Sequence, residues 1–325
     1  MEWQEPRLRD VLAARRRIAP HLPRTPLLTY PALDRELGTV VAVKHENHQP
    51  IGAFKVRGGI NLVARLDRED RSRGLITAST GNHGQSIAYA ARLFGVRAVV
   101  CVPEDSNPLK VGAMESLGAE ILAHGRDFDE AREHCEALAR EKGFRYVHSG
   151  NEPDLIAGVA TGTLEILEDD PATDVVLVPV GGGSGAAGAC IVAKAVEPGI
   201  RVIGVQSSAA PAAYRSWKEG RLVEDRAGTY AEGLATRTAF ELPQQILRRH
   251  LDDFVLVSDD EIRAAQALLL TITKNLVEAA GAAAFAGACR LRHQLAGKKV
   301  VVVMSGGNAS PRELAAVLGS AWLPS

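Results

Sequence analysis

A single lysine, Lys55, stands in the stretch "NHQPIGAFKVRGG", directly after Phe54 and two residues before Arg57. The apolar run "PIGAF" ahead of it buries most of its stem, and the pattern that follows predicts a helix over about 54–66 with Lys55 at its head. A helix N-terminus carries partial positive charge, and Arg57-Gly58-Gly59 reads as a cation-rich turn, so both favour the neutral amine. An amine of lowered pKa is a nucleophile and a base, suited to Schiff-base chemistry.

Three further stretches place polar groups where a short apolar, strand-like run ends. In "VVLVPVGGGSGAAGA", Gly181, Gly182 and Gly183 lead through Ser184 into a small-residue helix. Consecutive glycines let backbone N–H groups converge at a helix N-terminus, a trap for phosphate. A tight turn with close helix–sheet packing explains the same residues, and the absence of Gly-Lys-Ser/Thr argues against nucleotide hydrolysis. In "ASTGNHGQSIAYA", Ser79, Thr80, Gly81, Asn82 and His83 offer hydroxyls and free N–H groups to a carboxylate; a helix cap with a bystander histidine is the plainer alternative. In "KVVVVMSGGNASP", Ser305-Gly306-Gly307-Asn308 is either a third polar site or a structural turn. An amine, a phosphate cradle, a carboxylate loop and a hydroxyl together match the parts of a pyridoxal-phosphate site for an amino acid.

The elements that must hold these groups follow a strand–loop–helix rhythm. Short β-branched runs such as "GLITAS", "RAVVCVP", "RVIGVQ" and "DFVLVSD" alternate with helical stretches such as "DFDEAREHCEALAREKG". Strands rich in valine on both faces imply an α/β fold of mostly parallel twisted sheets flanked by helices, with ligands beyond the carboxyl ends of the strands. No repeat or Pro/Ser-rich linker divides the 325 residues. Two domains are expected to interleave: residues 1–72 and 151–325 as a large cofactor-binding domain, and 73–150, with four compact strand–helix alternations, as a small mobile one.

Composition narrows the partners. The 38 basic and 39 acidic residues give a formal charge of −1, so no global field favours nucleic acid or anionic lipid. Cys101, Cys135, Cys190 and Cys289 stand far apart without a CxxC pair and read as buried thiols in a reducing compartment. No signal peptide or membrane-length apolar run is found, which implies a soluble, cytoplasmic protein. His45 and His48 flank Glu46 at a strand end, outside any HExxH helix, and no metal site is expected there. His134 and Cys135 share a charged helix, Cys135 facing inward as core packing.

The chain resembles, over nearly its whole length, the threonine/serine dehydratase and serine racemase group of fold-type II (tryptophan synthase β-like) pyridoxal-phosphate enzymes. The matching pieces are "KHENHQPIGAFKVRGG", "STGNHGQ", "VPVGGGSGAAG", "AEGLA" and "MSGGN", in the order of that family. The resemblance implies that the cofactor lies in an interdomain cleft, that Lys55 binds its aldehyde and moves the Cα proton, and that Phe54 packs beside the ring. Asn82 would meet the 3-hydroxyl, Gly181, Gly182, Gly183 and Ser184 the phosphate, and Ser305 the pyridine nitrogen. Ser79, Thr80, Gly81, Asn82 and His83 would hold the substrate carboxylate, with Gly233 and Glu278 lining the cofactor.

Departures from the family pattern are local. Ala53 replaces a common serine, Ser184 the fourth glycine of the phosphate loop, and Thr80 the serine of racemases or the alanine of many dehydratases. Gln206 and Ala212 occupy positions that are acidic in relatives with a divalent cation. The chain ends soon after "SGGN", leaving no room for the regulatory domain of biosynthetic threonine dehydratases. The resulting expectation is a lyase that dehydrates and deaminates a β-hydroxy amino acid, threonine or serine by default, as a homodimer or homotetramer by analogy. The alternatives are a serine racemase, with Thr80 as the second-face acid, or a dehydratase for a bulkier substrate such as phenylserine or 3-hydroxyaspartate.

Overall fold

The computed structural model describes residues 3–319; residues 1–2 and 320–325, the ends of the expected large domain, lie outside them. Its strands are β1 (Leu27–Thr29), β2 (Val41–His45), β3 (Leu75–Ala78), β4 (Ala98–Val102), β5 (Glu120–Ala123), β6 (Arg145–Tyr146), β7 (Val175–Pro179), β8 (Arg201–Ser207), β9 (Asp253–Val257) and β10 (Val300–Met304). The helices are α1 (Leu8–Ile18), α2 (Pro31–Leu37), α3 (Lys55–Arg65), α4 (Arg68–Arg73), α5 (Asn82–Phe94), α6 (Pro108–Ser116) and α7 (Phe128–Lys142). The second half adds α8 (Pro153–Asp169), α9 (Ser184–Val196), α10 (Ala212–Glu219), α11 (Glu241–His250), α12 (Asp259–Thr273), α13 (Ala279–Arg290) and α14 (Pro311–Gly319).

A six-stranded sheet runs in the order β1-β2-β10-β7-β8-β9, and a four-stranded sheet in the order β5-β4-β3-β6. Every neighbouring pair is parallel except the edge pair β1–β2. Alternate residues of β7 and β10 explain the valine runs. Val176, Val178, Val301 and Val303 enter one buried cluster; Val175, Leu177, Val300 and Val302 enter another on the opposite face. A sheet covered on both sides leaves no polar face to write into its strands. The short strands β1 and β6 are additions to the sequence expectation, because three and two residues are too few to carry a period.

One reading is corrected. Arg57-Gly58-Gly59 is not a turn but lies inside α3. The glycines are there for contact: a Cβ on Gly58 would stand 2.9 Å from the Leu155 carbonyl, and one on Gly59 2.6 Å from the Ser86 carbonyl. Helix α3 is thus wedged between α8 and α5 at a spacing only glycine permits. Arg57 does not face the amine of Lys55 as a free cation. Its guanidinium is buried among Glu46 (Nε to Oε2, 2.8 Å), Glu165 (Nη1 to Oε1, 2.7 Å) and Thr161, while Lys44 Nζ donates to Glu165 Oε2 at 2.7 Å. Two buried cations therefore balance two buried carboxylates behind the head of α3.

Candidate active site

Strands β2, β10 and β7 are neighbours, so the loops leaving their carboxyl ends meet. The loop after β2 is pinned to the end of β10: Ala53 pairs antiparallel with Gly306, and Phe54 N–H donates to the Ser305 carbonyl at 3.0 Å. This delivers Lys55 as the first residue of α3, directly opposite the turn that follows β7. Lys55 Nζ donates to Ser184 Oγ at 2.9 Å. Burial lowers the lysine pKa to about 8; the cause is lost hydration, not the cation-rich turn expected from sequence.

The glycine turn has no room for side chains. A Cβ on Gly181 would collide with the Gly233 carbonyl, and one on Gly182 with the Phe240 ring; Gly183 has φ +90° and also abuts Pro243. The N–H groups of Gly181, Gly182, Gly183 and Ser184 find no acceptor among the described residues. Four free donors at the head of α9 form an anion cradle. Phe54 lies against Gly185, where a Cβ would stand 3.2 Å from its ring.

Across the cavity, β3 ends at the Ser79–His83 loop that opens α5. Ser79 Oγ accepts from the N–H groups of Gly81 (3.1 Å) and Gly84 (2.8 Å), which leaves its own proton to donate. The N–H groups of Thr80, Asn82 and His83 and the Thr80 hydroxyl have no partner among the described residues. His83 is different in kind. Thr77 gives its hydroxyl proton to the Val147 carbonyl at 2.7 Å, so it can only accept from His83 Nε2 at 2.9 Å. His83 is therefore the Nε2–H tautomer, and burial, then the fields of Lys55 and His148, lower its pKa to about 3.

These groups enclose one cavity of about 440 Å³, a size typical of small-ligand sites. Phe54, Lys55, Ser79 to His83, Gly181 to Ser184, Gly233, Glu278 and Ser305 all line it. The Ser305 hydroxyl has no partner among the described residues, and Glu278 accepts from Asn82 Nδ2 at 2.6 Å. Burial raises the Glu278 pKa, with Lys110 and the Asn82 N–H opposing that rise. The residues present fit pyridoxal phosphate: an amine without a carboxylate partner, a side-chain-free anion cradle, a flat apolar wall and a free hydroxyl.

Sequence reasoning missed the mouth of the cavity. Lys110 pairs with Glu232, Arg126 with Glu130, and Arg237 with Asp127 (2.9 Å) and Asp129 (3.0 Å). Most of these partners lie far apart along the chain on separate elements, so no spacing signals them. Elsewhere, His45 Nε2 meets the Tyr30 hydroxyl and His48 meets Asn275, while Glu46 faces Arg57. Gln206 Oε1 accepts from Tyr214 N–H at 2.9 Å, and Cys135 is buried in the core. Among the described residues no cluster of three or more potential metal ligands occurs, and no helix is long and apolar enough to cross a membrane.

The profile of the family described as pyridoxal-phosphate dependent enzyme matches residues 18–306. The L-threo-3-hydroxyaspartate ammonia-lyase of Saccharomyces cerevisiae is 37% identical over 310 residues, covering 95% of each chain. The L-threonine ammonia-lyase of Thermotoga maritima is 37% identical over 303 residues, covering 93% of this chain and 75% of that one. The solved serine racemase of Dictyostelium discoideum superposes with a TM-score of 0.88 at 32% identity, over 94% of this chain and 99% of the other.

Proposed function

Because the chain belongs to the pyridoxal-phosphate dependent enzyme family, we propose that it is an ammonia-lyase that dehydrates and deaminates a β-hydroxy amino acid. The observation carrying this reading is the 2.9 Å contact of Lys55 Nζ with Ser184 Oγ, which sets a depressed amine against the anion cradle. Pyridoxal phosphate, when bound, supplies the aldehyde that captures an amine and the ring that draws electrons from Cα.

In this reading the chain does the rest. The N–H groups of Gly181 to Ser184 would hold the phosphate, with Gly233 and Phe54 as walls and Ser305 to meet the pyridine nitrogen. Ser79 and the free N–H groups of Thr80, Asn82 and His83 hold the substrate carboxylate. Lys55, neutral in a substantial fraction near pH 8, takes the Cα proton. Ser184 Oγ, which accepts from Lys55 Nζ, would relay a proton towards the departing β-hydroxyl. The enamine product hydrolyses to a 2-oxo acid and ammonia.

The mouth bears on the substrate. Lys110, Arg126 and Arg237 each pair with an acidic side chain of the chain itself, so a second substrate carboxylate on Cβ would compete with or join those partners, and 3-hydroxyaspartate stands beside threonine and serine among the substrates to test. The separate four-stranded sheet, tied across the mouth by Lys110–Glu232 and Arg237–Asp127, supports a small domain at 73–150 on a large one at 1–72 and 151–325. The four free cysteines fit a reducing, cytoplasmic setting.

The test is release of 2-oxo acid from L- and D-threonine, serine, phenylserine and threo-3-hydroxyaspartate, with chiral analysis of the remaining substrate. Release from L-threonine or L-serine is expected. Racemised substrate without 2-oxo acid would instead favour a racemase, with the unpartnered hydroxyl of Thr80 as the second-face acid.

A further inference from the structure

The orientation of the Asn82 amide is not free. Asn308 Nδ2 donates to the Ile51 carbonyl at 2.8 Å and to Asn82 Oδ1 at 2.7 Å. A carbonyl only accepts, so the atom of Asn308 facing Ile51 must be the nitrogen; its second proton then requires an acceptor on Asn82. Asn82 must present Oδ1 to Asn308, and its Nδ2 is turned the other way. One Nδ2 proton goes to Glu278 Oε1 at 2.6 Å, and the other has no partner among the described residues. Asn82 lines the cavity, so that N–H is what its amide offers there.

The backbone is built around Asn308. Gly52 has φ +66°, and a Cβ on it would stand 2.9 Å from Asn308 Oδ1. Gly307 N–H donates to the Gly52 carbonyl at 2.8 Å, which locks the loop after β10 against the loop that carries Lys55. Asn308 thus ties three strand ends together: its own, that of β2 through Ile51, and that of β3 through Asn82.

We propose that Asn308 is a positioning residue that fixes Asn82 as a hydrogen-bond donor to the cofactor's 3-oxygen. The inference rests on the assignment of Asn82 beside that oxygen. A donor there stabilises the deprotonated oxygen; an acceptor would stabilise the protonated one. In Asn308→Asp the side chain can no longer donate to Asn82. The amide of Asn82 turns to give Nδ2 to the new carboxylate and leaves its carbonyl oxygen facing the cofactor. Glu278, whose pKa burial already raises, can take up a proton to donate to that turned amide.

The test is the visible absorption of cofactor-loaded wild type and Asn308→Asp across pH, since protonation of the 3-oxygen exchanges the long-wavelength band for a short-wavelength one. The variant is expected to titrate at higher pH by on the order of one unit, with the short-wavelength band enlarged at neutral pH. Asn308→Ser, which keeps a single donor, should lie between the two and carries the test if the aspartate variant does not fold. A residue that merely braces the loop would lower the melting temperature and cofactor affinity without moving the titration. An unmoved titration in a folded, loaded variant overturns the inference and leaves the lyase reading standing. A wild type that binds cofactor without either band overturns both.

Discussion

Lys55 Nζ donates to Ser184 Oγ at 2.9 Å, joining the first residue of α3 to the first residue of α9. The heads of two helices, that of α9 with four N–H groups that find no acceptor among the described residues, face one another across the carboxyl ends of β2, β10 and β7. The amine is therefore the group at the cradle with no carboxylate beside it. Lys44 is fully buried against Glu165, and Lys110 is paired with Glu232.

On the proposed reading, that difference marks Lys55 as the lysine for covalent capture. Borohydride reduction of the cofactor-loaded protein, followed by peptide mapping, should label Lys55. A label on Lys44 or Lys110 would overturn the site.

The pKa of Lys55 has a consequence for stability. The folded value, about 8, lies below the unfolded value of 10.5. Between these values the unfolded chain binds the additional proton, so stability rises with pH across that window. Cofactor-free protein should become more resistant to urea from pH 8 to 10.5, and Lys55→Met should flatten the rise. Because the side chain is only partly buried, the gain should be well under the roughly 3 kcal/mol that the full shift implies.

Glycine replacements separate the cradle from ordinary helix. Gly182→Asp adds a side chain against Phe240 and a negative charge where N–H donors converge, and cofactor affinity should fall at least a hundredfold, about 3 kcal/mol. Gly112→Ala in α6, where a Cβ meets nothing within 4 Å, should leave affinity unchanged and raise stability by about 0.5–1 kcal/mol. Equilibrium titration with cofactor and thermal melts decide both; equal affinities in the two folded variants would refute the phosphate placement.

Removing Arg57 strands Glu46 and Glu165 in the interior. Arg57→Ala should cost roughly 3–5 kcal/mol in chemical denaturation. Arg97→Ala removes an exposed pair with Glu120 and a cation–π contact with Phe144, and should change stability little. Similar losses in the two variants would show that the buried network is not strongly coupled.

On the proposed placement of the cofactor, Ser305 would offer a hydroxyl to the pyridine nitrogen, which can hydrogen-bond it but not hold it as a cation. Ser305→Asp should favour the protonated ring, slow 2-oxo acid release and increase the share of racemised substrate. A folded, loaded variant with the parental rate and product ratio would sink this account of reaction choice.

The local chemistry and the fold class are legible along the chain. Valine on both faces of β7 and β10 announces a covered parallel sheet, and Gly181-Gly182-Gly183-Ser184 at the end of a strand is legible because backbone donors at a helix N-terminus need no distant partner. The family likeness rests on such local runs. What depends on contact between remote segments becomes visible once the fold brings those segments together. Gly58 and Gly59 read as a turn until α5 and α8 are placed against them, since close helix packing and a sharp bend call for the same residue. Arg57 read as a cation beside the amine until Glu46 and Glu165 supplied its counter-charges. The roles of Asn308 and of the paired mouth residues have no local pattern at all: a hydrogen bond or an ion pair between residues far apart in sequence is set by where the sheets bring loops together, and such pairing leaves no period or motif along the chain.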